Sequence, residues 1–127
     1  MALSQRSFEA LQHFAAYAPV TVTATGAGSS IDLLGYDGDV VFVMQATAAG
    51  SSAAFKVRME HSDTTDAGDF TAITGGAFED IGNAAYLDSV AISKDDVKRY
   101  VRVNIYEETG SASSIISVTG VGVKKYQ

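Results

Sequence analysis

The chain has no cysteine and no tryptophan, one proline and two histidines. Without cysteine there is no disulfide framework, no thiolate metal site and no cysteine nucleophile. No apolar run approaches the roughly 20 residues that cross a bilayer as a helix, so no membrane partner is expected. Met1 to Ala10 lacks the basic-then-apolar profile of a secretion signal, which points to synthesis in the cytoplasm. Basic charge is scarce as well. Nine Lys and Arg face fifteen Asp and Glu, for a net charge of −6. The only dense basic groups are Lys98-Arg99 with Arg102, and Lys124-Lys125. Phosphate binding needs clustered cations, so no nucleic acid is expected as a partner. An acidic surface suits solubility or docking on a basic partner.

What is present is apolar and small. The 127 residues fit one domain, and 46% of them are hydrophobic, enough for a real core. Charged residues are 19%, below the usual quarter. Ala, Ser, Thr and Gly fill the difference, and twelve glycines supply most of the punctuation.

Residues 1–18 carry their own pattern. Phe8, Leu11, Phe14 and Ala15 recur at spacings of three and four, with Ser4 or Ser7 placed to cap a helix and Glu9 in its first turn. The spacing predicts a short amphipathic helix of about three turns that ends before Pro19. It serves either as a cover over one end of a β core or as an arm that docks on another subunit. On the second reading, deleting residues 1–18 leaves a folded β-protein that docks poorly.

From Val20 the period changes to two, and residues 19–127 read as one β-sandwich domain. Val20, Val22 and Ala24 alternate with Thr21, Thr23 and Thr25, and Ile31–Leu34 forms a second short strand. Gly35–Asp39 reads as a turn cluster. The nearly continuous apolar run Val40–Ala46 predicts a central strand covered on both faces. Phe55, Val57 and Met59 alternate with Lys56, Arg58 and Glu60. Shorter strands are expected at Phe70–Ile73, Phe78–Ile81 and Tyr86–Ile92, with Gly75-Gly76 turning the chain. Val101, Val103 and Ile105 alternate with Tyr100, Arg102, Asn104 and Tyr106. In Ile115–Val123 the apolar phase slips, which predicts a bulge or bend at Gly120 and Gly122. Seven to nine strands without intervening helices give an all-β fold, an antiparallel sandwich or barrel.

Residues able to do chemistry are few. Asp63, Asp66 and Asp69 share a loop, but their spacing is not that of a calcium-binding loop, and self-hydrogen-bonded turn carboxylates account for them. His13 and His61 belong to different segments, and no Gly-x-Ser-x-Gly elbow is present. The glycines at 26, 28, 75 and 76 precede no helix that would offer an anion its N-terminus. No catalytic residue, metal ligand or cofactor is therefore assigned, and the chain reads as a non-enzyme. Tyr100 and Tyr106 share an outer strand face, where tyrosine serves as an interface anchor or as a cross-strand stabiliser.

The run Val22-Thr23-Ala24-Thr25, then Ser29-Ser30-Ile31-Asp32-Leu33 and Gly35, resembles the early segment of capsid decoration (cement) proteins of tailed bacteriophages. Phe55, Val57, Glu60-His61-Ser62-Asp63 and Asp69-Phe70 resemble the strand, acidic loop and strand of many phage virion proteins, as does Arg99-Tyr100-Val101-Arg102-Val103. The segment Ser7 to Tyr17 departs from that pattern in length and helical spacing. The resemblance implies a jelly-roll-like sandwich, made in the host cytoplasm, that sits on the exterior of the virion capsid. It would bridge neighbouring subunits of the major capsid protein as a homodimer or homotrimer. Phe8, Leu11, Phe14, Tyr17, Tyr100 and Tyr106 are the expected capsid or subunit contacts. Two other roles remain open: a tail or head–tail connector component, and a carbohydrate- or receptor-binding module. The missing tryptophan weakens the last, and six tyrosines keep it open.

Overall fold

The computed structural model describes residues 11–124. Strands β1 (Leu11–Val22), β9 (Ser114–Lys124), β4 (Tyr36–Ala46) and β7 (Tyr86–Ser93) form one sheet in the order β1-β9-β4-β7. The second sheet has the order β2-β8-β5-β6, built from β2 (Gly26–Ala27), β8 (Tyr100–Thr109), β5 (Ala54–Ser62) and β6 (Thr71–Ala77). The two-residue strand β3 (Ile31–Asp32) also pairs with β8, so β2 and β3 are two pieces of one interrupted edge. Every pairing is antiparallel, and the pairs nest: β1 with β9, β2 and β3 with β8, β4 with β7, β5 with β6. That nesting is a long hairpin rolled into two sheets, the winding of a jelly roll. The fold is an all-β, jelly-roll-like sandwich.

Alternation fills the space between the sheets. Val40, Phe42 and Met44 of β4 meet Phe55, Val57 and Met59 of β5, Val101, Val103 and Ile105 of β8, and Ile116 and Val118 of β9, all fully buried. Removing such side chains from water is the main term that holds a sandwich together, at roughly 1.5–3 kcal/mol each.

Five expectations change. The helix of residues 1–18 is not seen where the structure describes the segment: Leu11–Val22 is an edge strand paired with β9 from Leu11↔Val123 to Val22↔Ser114. Ser4, Ser7, Phe8 and Glu9 lie outside the described residues. An exposed helix would have left β9 without its second ladder, and β1 supplies that ladder. Pro19 sits within one of two register shifts in β1, where its missing N–H is tolerated.

β9 does not slip either. Its inward positions run unbroken through Ser114, Ile116, Val118, Gly120 and Gly122. The two glycines are small because aromatic rings occupy their side-chain space. The ring of Phe14 lies where a Cβ on Gly120 would be, and Tyr36 does the same at Gly122. The irregularity lies in the partner strand β4, between Asp37 and Val41, where Gly38 has a φ of 67°.

Gly75-Gly76 lies inside β6, in a bulge where the register jumps from Glu60↔Ala72 to Arg58↔Ala77 and Gly75 has a φ of 77°, rather than in a turn between two strands, and Phe78–Ile81 contributes one isolated bridge, Phe55↔Ile81, instead of a strand. Finally, Val40–Ala46 is central but covered on one face only. Val41 and Val43 face outward and are half-buried.

Candidate functional site

The expected contact residues fall into two groups on opposite sides of the sandwich. Leu11, Phe14 and Tyr17 belong to β1, whereas Tyr100 and Tyr106 belong to β8 in the other sheet. Phe14 points inward. Its ring centroid is 5.5 Å from that of Tyr36 and 6.0 Å, edge-on, from that of Phe42, so it plugs the core above Gly120. Tyr17 lies against Gly28 of the opposite sheet at the open mouth. Leu11 alone of the three is exposed, on the outer face beside Val123.

The outer face of the second sheet holds the most organised chemistry. The β5–β8 register sets Glu60 opposite Arg102 and Arg58 opposite Asn104. Glu60 is only 2% exposed although it lies on an outward face. Its Oε1 accepts from Nε of Arg102 at 2.9 Å and forms an ion pair with Nη2 at 2.8 Å. Its Oε2 accepts from Nε of Arg58 at 2.9 Å and from Nδ2 of Asn104 at 2.8 Å, and forms an ion pair with Nη2 of Arg58 at 2.9 Å. Burial is the largest single influence on this carboxyl and pushes its pKa up. The hydrogen bonds from Asn104, Arg102 and Arg58 together outweigh it and hold the pKa below the usual 4.5.

Both guanidiniums also stack on aromatic rings. Arg58 lies 4.3 Å from the centre of the Tyr106 ring, and Arg102 lies 4.4 Å from that of Phe70. Lys56 extends the face toward Glu107 at 3.6 Å and Asp80 at 3.8 Å. At the other end Arg99 pairs bidentately with Asp32 at 3.0 and 2.8 Å and lies 4.9 Å from the Tyr100 ring centre. The result is a row of tyrosine and arginine groups whose positions are set before any partner arrives.

Sequence reasoning found the two tyrosines but not the carboxylate that organises the face. The signal was the pair of polar faces Lys56-Arg58-Glu60 and Arg102-Asn104. It becomes legible only once β5 and β8 are known to be neighbours.

The remaining candidates stay apart. His13 lies on β1 and His61 on β5, in different sheets. Nδ1 of His61 accepts from the Lys98 amide at 3.1 Å, and burial and the Lys98 charge lower its pKa. It lines a cleft of about 350 Å³ between β6 and β7, with Ile73, Thr74, Ala91 and Asp96. In the acidic loop Asp69 accepts from Thr64 Oγ1 at 2.7 Å, and Asp63 lies 3.9 Å from Lys98 Nζ. Among the described residues no group of three His, Asp or Glu side chains is placed to hold a metal ion.

No protein-family model matches the chain, and no curated protein matches it in sequence. Solved structures match in fold. YomS, derived from the SPBc2 prophage, superposes with a TM-score of 0.54 at 14% identity, over 90% of this chain and 93% of its own. VP2 in a subviral particle of infectious bursal disease virus gives 0.51 at 9% identity, over 90% of this chain and 32% of that one. The structure of the Gx strain of the same virus gives 0.50 at 12% identity, over 92% and 32%. At these identities the likeness is one of fold.

Proposed function

We propose that this chain is a non-enzymatic structural protein of a bacteriophage virion that decorates the capsid exterior and bridges neighbouring major capsid subunits. The observation that carries the reading is the fixed Tyr–Arg face of the second sheet. Tyrosine and arginine dominate the energetics of protein interfaces. Here Arg58 and Arg102 lose their rotamer freedom on folding, so docking does not have to bear that loss. The fold shared with a prophage-derived protein and with part of a virus-particle chain is consistent with a place in a virion. Shell reinforcement then follows from number. Many copies each hold one seam, and opening the shell requires breaking them together.

The test is cryo-electron microscopy of particles with and without the protein, joined to co-sedimentation of the purified chain with capsids that lack it. Density on the shell is expected, with the face of Tyr100 and Tyr106 toward it. Tyr100→Ala/Tyr106→Ala is expected to bind roughly a hundredfold more weakly, as removal of two anchor side chains implies. Particles bare of the protein, or unchanged binding by the double variant, would overturn the reading. A ring of copies at the tail would move it to the connector role. Glycan binding lost in the same variant would make it a carbohydrate module.

A further inference from the structure

The outer face of the first sheet is the chemical opposite of the face just described. Register aligns Val121, Val41 and Ala91 in one outward row across β9, β4 and β7, and Thr119, Val43 and Ser89 in the next. His13 and Ala15 of β1 extend those rows. No Asp, Glu, Lys or Arg stands in them. The carboxylates of Asp37 and Asp39 are confined to the rim, at the bulged end of β4. Four of the seven large hydrophobic side chains left exposed among the described residues belong to this face: Leu11, Leu87, Ile115 and Val123.

We infer that this face is the interface between two copies of the chain, packed sheet against sheet about a two-fold axis. Charge selects the occupant. The chain carries −6, and this broad surface is one on which a second copy meets it without burying a carboxylate. A partner with a charged docking surface would leave those charges desolvated and unpaired here. Shape agrees. Twisted sheets of one hand pack face to face at about 10 Å, and the small residues at the centre permit that approach. Size is sufficient. Four strands about 4.8 Å apart and the eight residues of β7, about 3.4 Å apart, give roughly 520 Å² per copy. The total of about 1,040 Å² meets the lower bound of about 1,000 Å² for a specific interface. A face that packs on itself closes at two copies, so the assembly is a dimer.

Sedimentation equilibrium of the full chain across a concentration series tests this without any capsid, so its outcome is separate from that of the decoration reading. The wild type is expected to be a dimer. Thr119→Lys, at the exposed centre of the face, is expected to weaken it roughly a hundredfold by burying an unpaired charge. Leu87→Lys, at a position 70% exposed in the monomer and therefore safe for folding, should weaken it in the same direction. Asp66→Lys, in the exposed loop that follows β5 of the other sheet, should dimerise like the wild type. Circular dichroism reports whether each variant is folded. A monomeric or trimeric wild type, or folded Lys variants that dimerise normally, would overturn the inference.

Discussion

Replacing Glu60 by Gln keeps the shape of the side chain and removes its charge. In the native protein three hydrogen bonds, from Arg58, Arg102 and Asn104, and two ion pairs with the arginines converge on that carboxylate. The amide that replaces it turns an NH2 toward at least one donor, and two guanidiniums lose their counter-charge. Removing one partner of a buried ion pair costs about 3–5 kcal/mol. The Arg58 side chain is 33% exposed and recovers some hydration, which places the expected loss near the low end, about 3 kcal/mol. For a chain of this size 1 kcal/mol moves the melting temperature by about 4 °C, so Glu60→Gln should melt about 12 °C lower. The pH dependence gives an independent readout. The folded pKa of Glu60 lies below its unfolded value, so the unfolded state takes up the proton first as pH falls. The stabilisation is therefore complete above about pH 4.5 and is lost as pH falls through the lower folded pKa. The gap between wild type and Glu60→Gln should be constant from neutral pH to about 5 and narrow below 4.5. Calorimetry and urea titration at several pH values measure both effects. A melting shift under about 3 °C, or a gap that stays constant into acid, would refute the account of Glu60 as the organising anion.

The other expectations follow from single contacts. Phe14→Ala should cost about 2 kcal/mol, since the ring is half-buried, and Gly120→Ala about 1–3 kcal/mol through collision with that ring. Combined, the two should cost at least about 1 kcal/mol less than their sum in urea unfolding, because the collision disappears with the ring. His61 has its folded pKa below 6.5, so the stability it contributes as a neutral acceptor is complete above that pH and lost as pH falls through the folded pKa. The urea midpoint should drop across that window in the wild type and stay flatter in His61→Gln. Deleting residues 1–10 should leave a cooperative unfolding transition, since every described pairing of β1 with β9, from Leu11↔Val123 to Val22↔Ser114, is kept. Deleting residues 1–18 strips β9 of most of its ladder, and loss of that transition is expected.

The strands that were legible in the sequence are those with one wet and one dry face. Phe55-Val57-Met59 and Val101-Val103-Ile105 alternate cleanly because their outward neighbours are charged or polar. The N-terminal strand was illegible for a physical reason. Leu11, Phe14 and Ala15 satisfy a helical spacing, while Leu11, His13 and Ala15 against Phe14 and Ala16 satisfy a strand. Only the open ladder of β9 decides between them. Gly120 and Gly122 misled for a related reason. A glycine on an inward position looks like a break in the pattern, and the rings of Phe14 and Tyr36 that fill it come from distant parts of the chain. Glu60 is the same case in polar form, since its partners Arg102 and Asn104 are 42 and 44 residues away.

A buried carboxylate between two arginines is a poor way to gain stability, because apolar side chains of like volume usually serve as well or better. Its presence on the outward side of β5 therefore asks for another explanation than folding. The network does one thing an apolar cluster cannot. It holds Arg58 against Tyr106 and Arg102 against Phe70 in single orientations. Ordering a free arginine on docking costs on the order of 1 kcal/mol per side chain, and it would recur in every copy that docks. In this chain that ordering is done once, on folding, and is offset by the interior of the sandwich. The opposite sheet follows the other rule. Its two central rows carry no charge, and their side chains are small. It therefore suits a contact that forms between identical surfaces and is not exchanged.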